Sequence, residues 1–83
     1  MFYTYILFSA KLNRYYIGFT EGSVNLRLSK HLSNPKGFTA KAKDWTIVYI
    51  EEFATKPLAI CREKEIKRWR NRKMIEELII SIE

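Results

Sequence analysis

Eighty-three residues, 47% of them hydrophobic and 14% aromatic, suit one small folded domain over residues 1–83, too short for a second core. The longest apolar runs fall far short of the roughly 20 residues of a membrane span, and no leader with a small-residue cleavage site opens the chain. Fifteen Lys and Arg against nine Asp and Glu leave +6, a balance that draws polyanions, chiefly nucleic acid or an anionic membrane surface, and that also serves plain solubility. The single cysteine, Cys61, forms no internal disulfide, which suits a reducing cytoplasm. One Cys and one His also fall short of the four ligands of a closed zinc site.

Phe2 to Phe8 alternates loosely between aromatic and aliphatic residues and predicts a first strand; Arg14 to Phe19 predicts a second. The polar link Ser9-Ala10-Lys11-Leu12-Asn13-Arg14 between them predicts a hairpin tip. In such a pair Tyr5 and Tyr16 come near one another, each with a donor, an acceptor and a titratable proton. Gly18, where the second run ends, permits close approach of a backbone or a ligand. Tyrosines are equally ordinary strand residues, so the hairpin alone decides nothing. Ser23 predicts an N-cap for a helix over Val24 to Leu32, with Val24, Leu28 and Leu32 as its buried stripe. Arg27 and His31 lie four apart along one edge of it. Proline and glycine in Ser33-Asn34-Pro35-Lys36-Gly37 stop that helix, and Phe38 to Lys43 is a basic connector with Lys36, Lys41 and Lys43. Trp45 to Phe53 is the clearest strand. Thr55 and Pro57 then start a helix over Pro57 to Arg70, and Lys73 to Ile82 forms a last one with Met74, Leu78 and Ile82 on one side. The order predicts an α+β domain, a small, mainly antiparallel three-stranded sheet with helices packed on it.

Glu63 falls between Ala59 and Ile66 and borders the face that packs on the sheet. A carboxylate there needs a metal, a hydrogen bond or a base, and Lys67 at i+4 offers the last. Arg62 to Lys73 carries seven bases against two acids, with Trp69 in its middle. Such a stretch can track a phosphate backbone through Lys67, Arg68, Arg70, Arg72 and Lys73, with Lys41 and Lys43 beside it; it is also what a solvated helix face looks like with Trp69 turned inward. Arg27 can clamp a phosphate and His31 can move a proton near neutral pH, although a lone histidine beside an apolar stripe is commonly structural. Nucleophilic serine or cysteine chemistry lacks its partners, since there is one histidine and Cys61 reads as buried. No glycine-rich phosphate loop exists.

Together these residues resemble the GIY-YIG nuclease domain in its small standalone form. Tyr16-Ile17-Gly18 is the second signature verbatim; the first is degenerate, Tyr3-Thr4-Tyr5 keeping only the last tyrosine. Arg27 with His31, the Phe38-Thr39 connector, and Arg62-Glu63-Lys64 followed by Ile66-Lys67-Arg68-Trp69 continue the pattern along the whole chain. Phe19 stands where some members carry a lysine. The resemblance implies a metal-dependent endonuclease that hydrolyses phosphodiester bonds in DNA. Tyr5, Tyr16, Arg27, His31 and Glu63 would be its catalytic residues, with Glu63 holding Mg²⁺ or Mn²⁺. Either Tyr5 or Tyr16 would activate water, Tyr5 being the preferred candidate and Tyr16 its support. The alternatives are a nucleic-acid-binding module with an idle or weak site, and a cleavage subunit that a protein partner targets. A monomer or weak homodimer without membrane attachment is expected, and substrate structure and pathway stay open.

Overall fold

The computed structural model describes residues 1–33 and 42–81. In chain order these form β1 (Phe2–Ser9), β2 (Arg14–Glu21), α1 (Val24–Ser33), β3 (Thr46–Phe53), α2 (Lys56–Trp69) and α3 (Arg72–Ile80). The strand, strand, helix, strand, helix, helix order is the one the sequence predicts. The stop at Pro35 and Gly37, the connector through Phe38, with Lys36 and Lys41, and the last helix's Ile82 fall outside the described residues.

β1 is the centre of a three-stranded antiparallel sheet ordered β2-β1-β3. A central strand with helices on both faces is buried on both, and Thr4, Tyr5, Ile6 and Leu7 are all buried. The two-residue period sends Tyr5 and Leu7 to one face, where Val24 and Trp45 join them and Leu28 and Leu32 of α1 pack alongside. Ile6 goes to the other face, with Tyr49, Ile66 of α2 and Ile75 of α3. A bulge in the β1–β3 ladder lets Ile6 face Tyr49 and Leu7 face Ile47. It puts Ile47 and Tyr49 on opposite faces although they are two residues apart. Truncating fully buried Leu7 or Ile66 to alanine removes about 2–5 kcal/mol, a large share of a small domain's stability.

Local chemistry sets the element ends. Ser23 Oγ accepts from Leu26 N at 3.3 Å, the predicted cap of α1. Asn71 Oδ1 caps α3, accepting from Lys73 N at 3.0 Å and Met74 N at 3.4 Å. Thr55 occupies the cap position of α2 without a side-chain cap bond, and Pro57 sits in the first turn. The hairpin tip is held twice. Ser9 Oγ donates to Asp44 Oδ1 at 2.6 Å and Lys11 N to Asp44 Oδ2 at 2.8 Å; Arg72 donates to the Asn13 carbonyl at 2.9 Å and Oδ1 at 2.6 Å.

Two expectations need correction. The buried stripe of the last helix is Ile75 with Leu78 and Ile79, while Met74 is 39% exposed. Ile75, Leu78 and Ile79 at i, i+3, i+4 form the stripe that packs with Ile6, Tyr49 and Ile66, which turns Met74 to the edge. Cys61 is exposed, not buried. It lies two residues from buried Ala59, about 200° around the helix, so it faces away from the sheet.

Candidate active site

The hairpin register explains how the two tyrosines meet. Tyr5 pairs with Gly18 and Leu7 with Tyr16, so Tyr5 and Tyr16 are diagonal neighbours on the α1 face. Gly18 is the seat of the Tyr5 ring. A Cβ at Gly18 would lie 2.6 Å from Tyr5 Oη, 2.8 Å from Tyr5 Cζ and 3.2 Å from Tyr16 Cε1. The close approach read from the sequence is therefore made by a tyrosine side chain, not by a backbone or a ligand.

α1 brings the next two groups. Its apolar stripe docks on Tyr5 and Leu7, which turns the edge carrying Arg27 and His31 toward the tyrosines. Tyr5 Oη and His31 Nε2 are 2.9 Å apart. The Tyr16 ring meets the His31 ring edge-on with centroids 5.1 Å apart, and packs on Trp45 at 6.5 Å. Burial raises the Tyr5 pKa above 10, a bond from the Arg27 guanidinium pulls it back, and the charges of Tyr16 and Glu63 push it further up. Burial and then the neighbouring Arg27 charge hold His31 below its ordinary 6.5. At neutral pH the phenol is therefore protonated and the imidazole neutral, and in the tautomer that carries its proton on Nδ1 the Tyr5 hydroxyl donates and Nε2 accepts. Arg27 is exposed and lines a cleft with Thr20, Ser23, Lys30 and Ser33.

Glu63 arrives from the opposite face on α2, and its charge reaches Tyr5. A residue that sequence reasoning missed sets its position. Thr4, buried on the α2 face of β1, donates from Oγ1 to the Ala59 carbonyl at 2.7 Å. Ala59 is one turn before Glu63, so this bond fixes the rotation of the helix that presents the carboxylate. The signal was present: Thr4 is a polar residue on the strand face of Ile6 and Phe8, and a buried hydroxyl there requires a partner. Glu63 itself accepts from Lys67 Nζ at 3.0 Å, the i+4 pair foreseen as its plainer role. Such helical pairs contribute about 0.3–0.5 kcal/mol.

No three His, Cys, Asp or Glu side chains converge among the described residues. The ligand offered is the Glu63 carboxylate, whose charge reaches Tyr5. One carboxylate among hard oxygen donors fits Mg²⁺ or Mn²⁺, which keep several waters and share phosphate oxygens; it does not fit a closed zinc cage.

The remaining residues divide by position. Tyr3 of the degenerate first signature donates to Glu52 Oε2 at 3.1 Å and packs beside the Tyr5 and Leu7 cluster. Lys67, Arg68 and Arg70, with Lys64 and Cys61, line a depression on the outer face of α2. Lys43 donates to the Leu32 carbonyl at 3.1 Å at the end of α1. Arg72 is engaged by Asn13 and by Glu76, and lies over the Tyr15 ring at 5.2 Å. Lys73 is exposed at the start of α3, and Lys41 lies outside the described residues. Trp69 is half-buried and packs against the Ile66 and Ile75 cluster, with Arg62 over its ring at 5.6 Å.

No curated protein and no solved structure matches this chain at a significant level. The sequence profile described as the GIY-YIG catalytic domain does match, over residues 1–76. Nearly the whole chain is thereby accounted for, from the β1–β2 hairpin to the middle of α3, and the protein belongs to the GIY-YIG family of nuclease domains, hydrolases of phosphodiester bonds.

Proposed function

We propose that this protein is a metal-dependent DNA endonuclease in which Tyr5 activates water with His31 as the proton acceptor behind it. The observation that carries this is the 2.9 Å contact between Tyr5 Oη and a neutral His31 Nε2. A phenol held above pKa 10 is a poor base alone. As a relay it needs no standing phenolate: Oη takes a proton from the attacking water while its own proton passes to Nε2. The imidazolium so formed sits beside Arg27, a like charge, and loses its proton readily to solvent. Tyr16 braces the imidazole edge-on and so supports the relay.

Arg27 neutralises charge gathering on the phosphate, as preorganised cations do in phosphoryl transfer. Glu63 would hold Mg²⁺ or Mn²⁺. The bound ion would neutralise a non-bridging phosphate oxygen and stabilise the leaving 3′-oxygen. The basic surface of α2 supplies contacts to the backbone without sequence preference.

The test is nicking of labelled duplex, flap, junction and single-stranded DNA with Mg²⁺, Mn²⁺ or EDTA, by the wild type and Glu63→Ala, with binding followed in parallel. Cleavage abolished by EDTA and by Glu63→Ala, with binding kept, supports the enzyme and selects its substrate. Absence of cleavage under every metal, with salt-sensitive binding intact, supports the nucleic-acid-binding module instead; the Lys67 pairing of Glu63 is the observation that favours it.

A further inference from the structure

Lys67 belongs to two places at once. Its Nζ lies 3.0 Å from Glu63 Oε2, and its side chain also lines the basic depression on the outer face of α2. The two partners differ in freedom. The Glu63 side chain is 17% exposed and the Lys67 side chain 50% exposed, so the carboxylate is fixed and the ammonium can move. Lys64, Arg68 and Arg70 share the depression and have no carboxylate partner among the described residues. No acidic side chain lines it among the described residues. A polyanion strand entering the depression therefore meets three uncommitted cations and one on loan from Glu63.

We infer that Lys67 is an exchangeable cation: it occupies the Glu63 carboxylate in the free protein and transfers to a DNA backbone phosphate when a divalent ion takes its place. The inference rests on Glu63 being the metal ligand. An ammonium and a divalent ion cannot both lie against one carboxylate oxygen without strong like-charge repulsion. Arrival of the ion thus releases Lys67 toward the depression, and a phosphate there draws Lys67 away from Glu63. By linkage each event favours the other, so metal and DNA bind with positive coupling. The device keeps Glu63 neutralised in the free protein and exposes it to metal when substrate is present.

The readouts are Mn²⁺ binding to the free protein, followed by electron paramagnetic resonance, and the salt dependence of binding to a labelled DNA duplex, both without turnover. Removing the competing charge in Lys67→Met should tighten Mn²⁺ binding by about two- to tenfold. The same variant should lower the slope of log K against log salt by about one, the signature of one lost phosphate contact. Mn²⁺ should strengthen DNA binding by the wild type and do so less for Lys67→Met. Lys64→Met, in the same depression but not bonded to Glu63, should weaken DNA binding and leave Mn²⁺ affinity unchanged. Unchanged or weaker Mn²⁺ binding in Lys67→Met would overturn the inference, as would an unchanged salt slope. Glu63→Gln separates the two levels. If it keeps wild-type Mn²⁺ affinity, the metal-ligand assignment itself fails; if it loses Mn²⁺ while Lys67→Met changes nothing, only the exchange fails.

Discussion

Gly18→Ala is the smallest change that reaches the centre of the site. The added methyl would lie 2.6 Å from Tyr5 Oη and 2.8 Å from Cζ, where ordinary contact begins at 3.4 Å. Tyr5 must then retreat by about 0.8 Å, the difference of those figures for Oη. A tyrosine at the surface would swing aside at little cost. This one is 1% exposed and packed among Leu7, Val24 and Trp45, so the ring pushes its neighbours. Overpacking of that kind costs about 1–3 kcal/mol. The same shift spoils the 2.9 Å contact with His31, and misplacement by about 1 Å can cost on the order of 10²-fold in rate. Urea denaturation measures the first effect and single-turnover nicking the second, with DNA binding expected to be retained because the basic surface of α2 is untouched. The clash is also specific to the hydroxyl in part. In a Tyr5→Phe background Gly18→Ala should cost less stability than in the wild type, a coupling that a double-mutant cycle reads directly. Wild-type stability and wild-type rate in Gly18→Ala would refute the argument that this glycine exists to seat the Tyr5 phenol.

The remaining predictions test the parts around that seat. His31 is held below 6.5, so folded protein binds fewer protons than unfolded chain; this group subtracts stability as pH falls through 6.5 and subtracts none well above it. Nicking should likewise rise with pH along a limb with its midpoint below 6.5, as neutral Nε2 becomes available, and His31→Asn should abolish that limb. Thr4→Val, nearly isosteric, removes the bond to the Ala59 carbonyl and should cost about 1 kcal/mol of stability by urea titration, with weaker Mn²⁺ binding because Glu63 loses its registration. Arg62→Ala breaks the bond to Glu51 across the α2–β3 contact and the i,i+3 bond to Glu65 within α2. With Glu51 one-third exposed, solvent screens part of the loss, and about 1–2 kcal/mol is expected by the same assay.

Much of this was legible in the residues. The alternation of aromatic and aliphatic residues from Phe2 to Phe8, and the β-branched run before Phe53, fixed the strands because their period matches the pleat. The spacing of Val24, Leu28 and Leu32 sufficed to place Arg27 and His31 on one edge of α1. What stayed hidden depended on angles that residue type does not carry. Cys61 reads as buried by its chemistry, but its helical angle from Ala59 puts it in solvent. The stripe of α3 depended on which of two apolar faces meets Ile6 and Ile66, a matter of tertiary packing. The role of Thr4 required knowing which carbonyl of α2 lies above β1, a tertiary fact. Gly18 announced a close approach without saying by what; only the cross-strand register with Tyr5 names the visitor.

The claim on which the account turns is that the Tyr5 hydroxyl passes the water proton to His31. Single-turnover nicking by Tyr5→Phe, beside Tyr16→Phe and at saturating protein, tests it most directly. General base contributions run about 10²–10⁴-fold, so Tyr5→Phe should fall by at least roughly 10² with DNA and Mn²⁺ binding kept, and Tyr16→Phe by less. A Tyr5→Phe rate within a few-fold of wild type would contradict the account, and a larger loss in Tyr16→Phe would move the base to Tyr16.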